Sequence, residues 1–196
     1  MTDAPTQNRL QLDDFMQTFS DEGPFEFIDG DKIPLALQVP LSGDINFSLA
    51  RLLAKHVEDN NLGKVFVEVP FVTTDPDDPN WVTGSRVPDA MFYSKARMDN
   101  LAKSDPDWRL KPIPPPPDLA VEVISPSDRF SAVSKKIDGY LRDGVRLVWV
   151  IDTGQAEAIV YKPNTQPMRL NREGTLRGED VVPNFEVSIA TLVAAE

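Results

Sequence analysis

The stretch DLAVEVIS, Asp118 to Ser125, decides how this chain is read. It is an apolar, β-forming run of strand length with the carboxylate of Glu122 in its middle. Alternation along a strand sets Ala120, Glu122 and Ile124 on one face and Leu119, Val121 and Val123 on the other. Both faces are apolar apart from Glu122, the pattern of a strand covered on two sides. A carboxylate there needs a reason, because burying it unpaired is strongly unfavourable.

A second run, RVPDAMFY from Arg86 to Tyr93, carries Asp89 in the same manner. Read as a strand, it places Asp89, Met91 and Tyr93 together. Where the two strands pair, Asp89 and Glu122 project from one face and converge. Converging carboxylates repel, and a divalent cation between them relieves the repulsion. Oxygen-only ligation suits Mg²⁺ or Mn²⁺. The pattern alone leaves an alternative open, in which each acid is solvated at a strand end or paired with an arginine such as Arg86 or Arg146. VFVEVPF, with Glu68, has the same look and is a candidate for that alternative.

Outward from these strands the chain alternates helical and extended patterns, with no internal repeat. A short helix is expected over 11–20, and a hairpin over Pro24–Leu37 around Asp29-Gly30. Ile45, Leu49, Leu52, Leu53 and Val57 recur at helical spacing in a helix that starts at Gly43 and ends before Gly63. KVFVEVPFV reads as a strand and DPDDPNWVTGS as a loop. One helix is expected near Lys95–Lys103, and KPIPPPP as an extended lead into DLAVEVIS. SDRFSAVSKKIDGYLRDG is an amphipathic helix closing at Gly144, VRLVWVID a strand, and AEAIVYKP the start of further strands. The core order is helix, three strands, helix, strand. The helix before the last strand implies a crossover, hence a mixed sheet flanked by helices.

With 196 residues, 41% hydrophobic and 26% charged, the chain suits a single domain, 1–196. It has no cysteine, which excludes disulfides and thiolate metal sites and fits a reducing, cytoplasmic setting. MTDAPTQNRLQLDDFM lacks the pattern of a signal peptide, and no apolar run approaches a membrane span. The net charge of −11 argues against a non-specific nucleic-acid binder. The charge is uneven, however. Over 1–31 only Arg9 opposes Asp3, Asp13, Asp14, Asp21, Glu22, Glu26, Asp29 and Asp31. Over 129–147, Arg129, Lys135, Lys136, Arg142 and Arg146 face only Asp138 and Asp143. That basic face can meet a phosphate backbone or simply be a solvated helix surface.

RVPDAMFY, PPDLAVEVISPSDRF, KKIDGYLRDGV and RLVWVID together resemble the Uma-type family of restriction-endonuclease-like proteins, within the PD-(D/E)XK nuclease superfamily. The resemblance extends to EFIDGD and to the closing VVPNFEVSIATLV. It implies an α/β (α+β) fold with a restriction-endonuclease-like core, an N-terminal hairpin and C-terminal β additions. It also implies Mg²⁺-dependent hydrolysis of DNA, with the metal on Asp89, Glu122 and the backbone carbonyl of Val123. A homodimer is the implied assembly where both strands are cut. The superfamily's lysine, two residues after the second acid, is here Ile124. In this family the resemblance places it on the following helix, at Lys136, four residues before Tyr140. Glu26 resembles an additional acidic position of the site. Asn46 stands near where family members often carry a histidine, and His56, the only histidine, receives no role.

Helix geometry separates the two adjacent lysines independently. At about 100° per residue, Phe130, Val133, Ile137, Tyr140 and Leu141 form one apolar stripe. Lys135 falls opposite the stripe. Lys136 falls at its flank, with Arg129 two turns earlier on the same side, and can lay its stem along the apolar border. Two other readings compete: a non-catalytic interaction module that keeps the nuclease fold, and a metal-free hydrolase using paired carboxylates.

Overall fold

The structure, a computed structural model, describes residues 9–126, 128 and 130–193, without the side chain of Phe130. The Arg129 and Phe130 side-chain placements expected above lie outside the described residues. In chain order the elements begin with β1 (Leu10–Gln11), α1 (Leu12–Glu22), β2 (Phe25–Ile28), β3 (Asp31–Pro34) and α2 (Pro40–Asp59). Next come β4 (Gly63–Val67), β5 (Phe71–Thr74), β6 (Trp81–Arg86), β7 (Ala90–Ser94) and α3 (Lys95–Ser104). The chain continues with β8 (Leu119–Ile124), α4 (Phe130–Arg142), β9 (Leu147–Asp152) and β10 (Glu157–Tyr161). It closes with β11 (Met168–Leu170), β12 (Thr175–Arg177), β13 (Glu186–Ser188) and α5 (Ile189–Val193).

The main sheet runs β11-β10-β9-β8-β7-β4. Among the described strands of this sheet only β8 and β9 are parallel, in register from Leu119↔Leu147 to Ile124↔Asp152, and α4 is the crossover between them. The order α2, β4, β7, β8, α4, β9 is the expected core order. Both faces of the sheet are covered, which accounts for the unbroken apolar character of DLAVEVI and LVWVI. Leu119, Val121 and Val123 join Trp149 and Ile151 under α2 and α5. Ala120, Met91, Tyr93, Val148 and Val150 pack on the opposite face with Ile137 and Tyr140 of α4. Val133 and Leu141 pack at that cluster's edge, and Lys135 is exposed.

A second sheet, β1-β6-β2-β3 with β5 also on β6, closes around Phe15, Phe25, Phe27, Val72 and Val82. The β2–β3 turn is the expected hairpin. Asp29 (φ 51°) and Gly30 (φ 91°) both have the positive φ that a tight turn matched to strand twist requires.

Four expectations need correction. KVFVEVPFV is not one strand: it breaks at Glu68, which takes φ 53°, and its halves β4 and β5 belong to different sheets. DPDDPNWVTGS is not all loop, because Trp81 to Ser85 begin β6. RVPDAMFY likewise ends one sheet at Arg86 and enters the other at Ala90, so Asp89 precedes its strand rather than lying within it. The second long helix starts at Pro40, three residues before Gly43, where a proline in the first turn forfeits no hydrogen bond.

Candidate active site

The two sheet switches set the site where the sheets meet. Glu26 comes from β2, Asp89 from the β6–β7 link, Glu122 from β8 and Lys136 from α4. Glu122 faces α4 because it shares the parity of Ala120. There Lys136 Nζ donates to Glu122 Oε2 at 2.8 Å, and Tyr140 Oη donates to Oε1 at 2.5 Å. Lys136 Nζ also lies 3.2 Å from Glu26 Oε1, which in turn accepts the Val87 N–H at 3.1 Å. Asp89 Oδ2 accepts the N–H of Val123 at 2.6 Å, so the first acid is bonded to the backbone beside the second. Its Oδ1 accepts from Gln38 Nε2 at 2.5 Å, and its own carbonyl accepts from Asn46 Nδ2 at 3.3 Å.

One ammonium thus serves three carboxylates, and the protonation equilibria reflect that shortage of positive charge. Burial pushes the Glu122 carboxyl up to about 7; Lys136 opposes this, while Asp89 and Glu26 add to it. Asp89 is raised by burial, less what the Val123 N–H and Lys136 take back, and nearby Glu68 raises it further. Burial works against the charge on Lys136, but Glu122, Glu26 and Asp89 outweigh it and hold its ammonium above the usual lysine range. Tyr140 is held well above the phenol range by burial and by Glu122, so its hydroxyl donates rather than ionises.

The other candidates sort by position. Glu68 is exposed and solvated, although its charge reaches Asp89. His56 Nε2 bonds the Pro183 carbonyl at 2.9 Å and its ring packs edge-on to Phe185. Arg86 and Arg146 ion-pair with Asp143 and Asp118, not with Asp89 or Glu122. The sequence assigns no role to Gln38, and places Tyr140 in the apolar stripe and in the motif that carries Lys136 without giving its hydroxyl a role. A buried tyrosine hydroxyl requires a partner, which was a usable signal for Tyr140. Gln38 is an exposed residue of a linker and carried none.

Among the described residues no group of three or more His, Cys, Asp or Glu side chains could by itself hold a metal ion. The donor set nevertheless fits Mg²⁺, which typically takes one or two carboxylates and fills its remaining positions with water and phosphate. Asp89 and Glu122 supply hard oxygens, and both are destabilised as anions in a way a cation would relieve.

No curated protein matches the chain. Its fold is similar to that of a solved protein from Anabaena variabilis ATCC 29413, described as a "putative nuclease belonging to DUF820". The TM-score is 0.75 and the identity 21%, over 94% of this chain and 97% of that one. Among the described residues, no helix is long and apolar enough to cross a membrane. Residues 10–191 match the Uma2 family, described as "Putative restriction endonuclease", and the chain belongs to that family.

Proposed function

We propose that the protein is a Mg²⁺-dependent nuclease that hydrolyses DNA phosphodiester bonds, with Mn²⁺ as a substitute metal. Asp89, Glu122 and the Val123 carbonyl would hold the ion. The observation that carries the reading is the Asp89–Glu122–Lys136 cluster, buried at Glu122 and half-buried at Asp89 and Lys136, in which both acids are held above the usual carboxylate range. Bound there, the metal would polarise the phosphate and acidify the attacking water. The Lys136 ammonium, steered by Glu122 and Glu26, would donate to that water or to the phosphoryl oxygens as charge builds in the transition state. The Tyr140 hydroxyl fixes the rotamer of Glu122, and the Val123 N–H fixes Asp89. Glu26 keeps Lys136 charged and extended toward the site.

A second reading, a non-catalytic module with the nuclease fold, has its own support. All four carboxylate oxygens of Asp89 and Glu122 already accept a hydrogen bond, and the net charge is −11. Calorimetric titration with Mn²⁺, paired with a screen of DNA and RNA substrates, separates the two. The nuclease reading expects binding that Asp89→Ala abolishes, and cleavage that Lys136→Ala removes while metal binding persists. Absence of Mn²⁺ binding by the wild type would sink it.

A further inference from the structure

Arg86, the last residue of β6, is 3% exposed. Its Nη1 donates to the Phe27 carbonyl at 3.4 Å and to the Ser85 carbonyl at 3.2 Å. Its Nη2 lies 3.2 Å from Asp143 Oδ2, one residue past α4. Between these contacts the guanidinium lies on the helix backbone at Gly139. A Cβ there would stand 2.7 Å from Nη2, 2.9 Å from Nε and 3.2 Å from Cζ. Helix interiors disfavour glycine, and this one is explained by the group it admits. Nε has no hydrogen-bond partner among the described residues, so packing and the ion pair hold the group rather than a full set of bonds.

Arg86 therefore ties together three strips of chain that carry the site. It reaches β2 one residue after Glu26, lies three residues before Asp89, and touches α4 three residues after Lys136. A buried guanidinium is weak support for stability in itself, since its desolvation offsets much of the pairing. The cation that acts on Asp89 and Glu122 is Lys136.

We propose that Arg86 is a positioning residue for Lys136: its guanidinium, seated on Gly139 and Asp143, sets how closely α4 lies on the sheet and so brings the ammonium between Glu122 and Glu26. The effect on cleavage rests on the nuclease reading, whereas the placement of Lys136 is measurable without it. Lys136 is pinned by two carboxylates and should acylate slowly with acetic anhydride, while exposed Lys135 acylates fast. Fragment mass spectrometry gives the ratio of the two.

Gly139→Ala keeps every polar group and adds one carbon under the guanidinium. The Lys136:Lys135 labelling ratio should rise at least fivefold, and kcat should fall at least tenfold with Mn²⁺ affinity within twofold. Adding Arg86→Lys makes room for the new methyl and keeps a cation for Asp143, and should bring the ratio at least halfway back. An unchanged ratio in Gly139→Ala overturns the proposal. So does a rise that the added Arg86→Lys leaves unrelieved, since that marks a general loosening of α4. Should Gly139→Ala fail to fold, Asp143→Asn must raise the ratio at least twofold for the proposal to hold. A wild type inert toward nucleic acid, with labelling as expected, would sink the nuclease reading and support the positioning role alone.

Discussion

Asp118 and Glu122 stand four residues apart at the start and middle of the same sequence stretch, and both are buried, at 3% and 6% exposure. Asp118 Oδ2 accepts the Ser94 N–H at 2.8 Å, while its Oδ1 lies 3.3 Å from Arg97 Nε and 3.8 Å from Arg146 Nη1. Two arginines serve that one carboxylate, although Arg146 also pairs with the exposed Asp180 at 2.5 Å. Glu122 has the opposite ratio, sharing one lysine with Glu26 and facing Asp89. Burial is the same for both; the count of cations per carboxylate differs. The first arrangement anchors the entry to β8 and the β7–α3 corner. The second leaves a deficit of positive charge that a metal ion can fill.

The largest effect expected from this contrast is on cleavage. Glu122→Gln and Asp89→Asn should each lower kcat by about 10³-fold or more, the upper range for removing one group that acts on the transition state. Asp118→Asn should change kcat far less. Comparable losses from Asp118→Asn and Glu122→Gln, measured on one substrate, would dissolve the distinction.

Next in size is a pH effect. Folding raises the Glu122 carboxyl from its ordinary 4.5 to about 7. The folded state then holds the proton more tightly, so the metal-free protein loses stability as pH rises through that window. The Glu122 contribution is about 3 kcal/mol, and Asp89 acts in the same direction. Urea titrations at several pH values should show wild type falling relative to Glu122→Gln as pH increases. Parallel curves would mean that the acid carries no such penalty.

Metal should reverse that loss. At about a hundred times its dissociation constant, Mn²⁺ adds roughly 2.7 kcal/mol, or about 5–10 °C in Tm for a chain of this size. EDTA should remove the gain, and Glu122→Gln should lack it. Removing the anchoring acid gives a slightly smaller change of opposite kind: Asp118→Asn should destabilise by about 2 kcal/mol, below the usual loss for a broken buried pair because both arginines are partly solvated. Lys135→Ala should fall at the bottom of the series, within about 0.5 kcal/mol in stability, as an exposed substitution away from the cluster.

Glu122 was legible because an acid inside a two-sided apolar strand violates the pattern around it, and Asp89 because it heads an equally apolar run, one residue before β7. The crossover helix was legible from the stripe of Ile137, Tyr140 and Leu141, and Lys136 from its place at the flank. What escaped were the places where the chain changes sheet. Val65-Phe66-Val67 and Phe71-Val72-Thr73 have the same β-forming character, and the φ of 53° at Glu68 between them is a tertiary demand that its own side chain does not announce. Trp81 to Ser85 were hidden by the turn-rich residues before them. Gln38 reaches Asp89 only because the linker before α2 passes over the site. Side-chain periodicity reports which face is wet, not which sheet receives the strand.

The parallel pairing of β8 with β9 also has a kinetic meaning. Antiparallel neighbours can zip from a tight turn, but a parallel pair forms only when its crossover has docked. Lys136 rides on that crossover, and Glu26 joins it from more than half the chain away. The ammonium and its carboxylates therefore meet in the same long-range closure that completes the centre of the sheet. Pulse-labelled amide exchange would see the β8 and β9 amides become protected as that closure occurs. A chain still emerging from the ribosome holds the acids apart from their lysine, so any hydrolytic capacity arrives only with the finished fold.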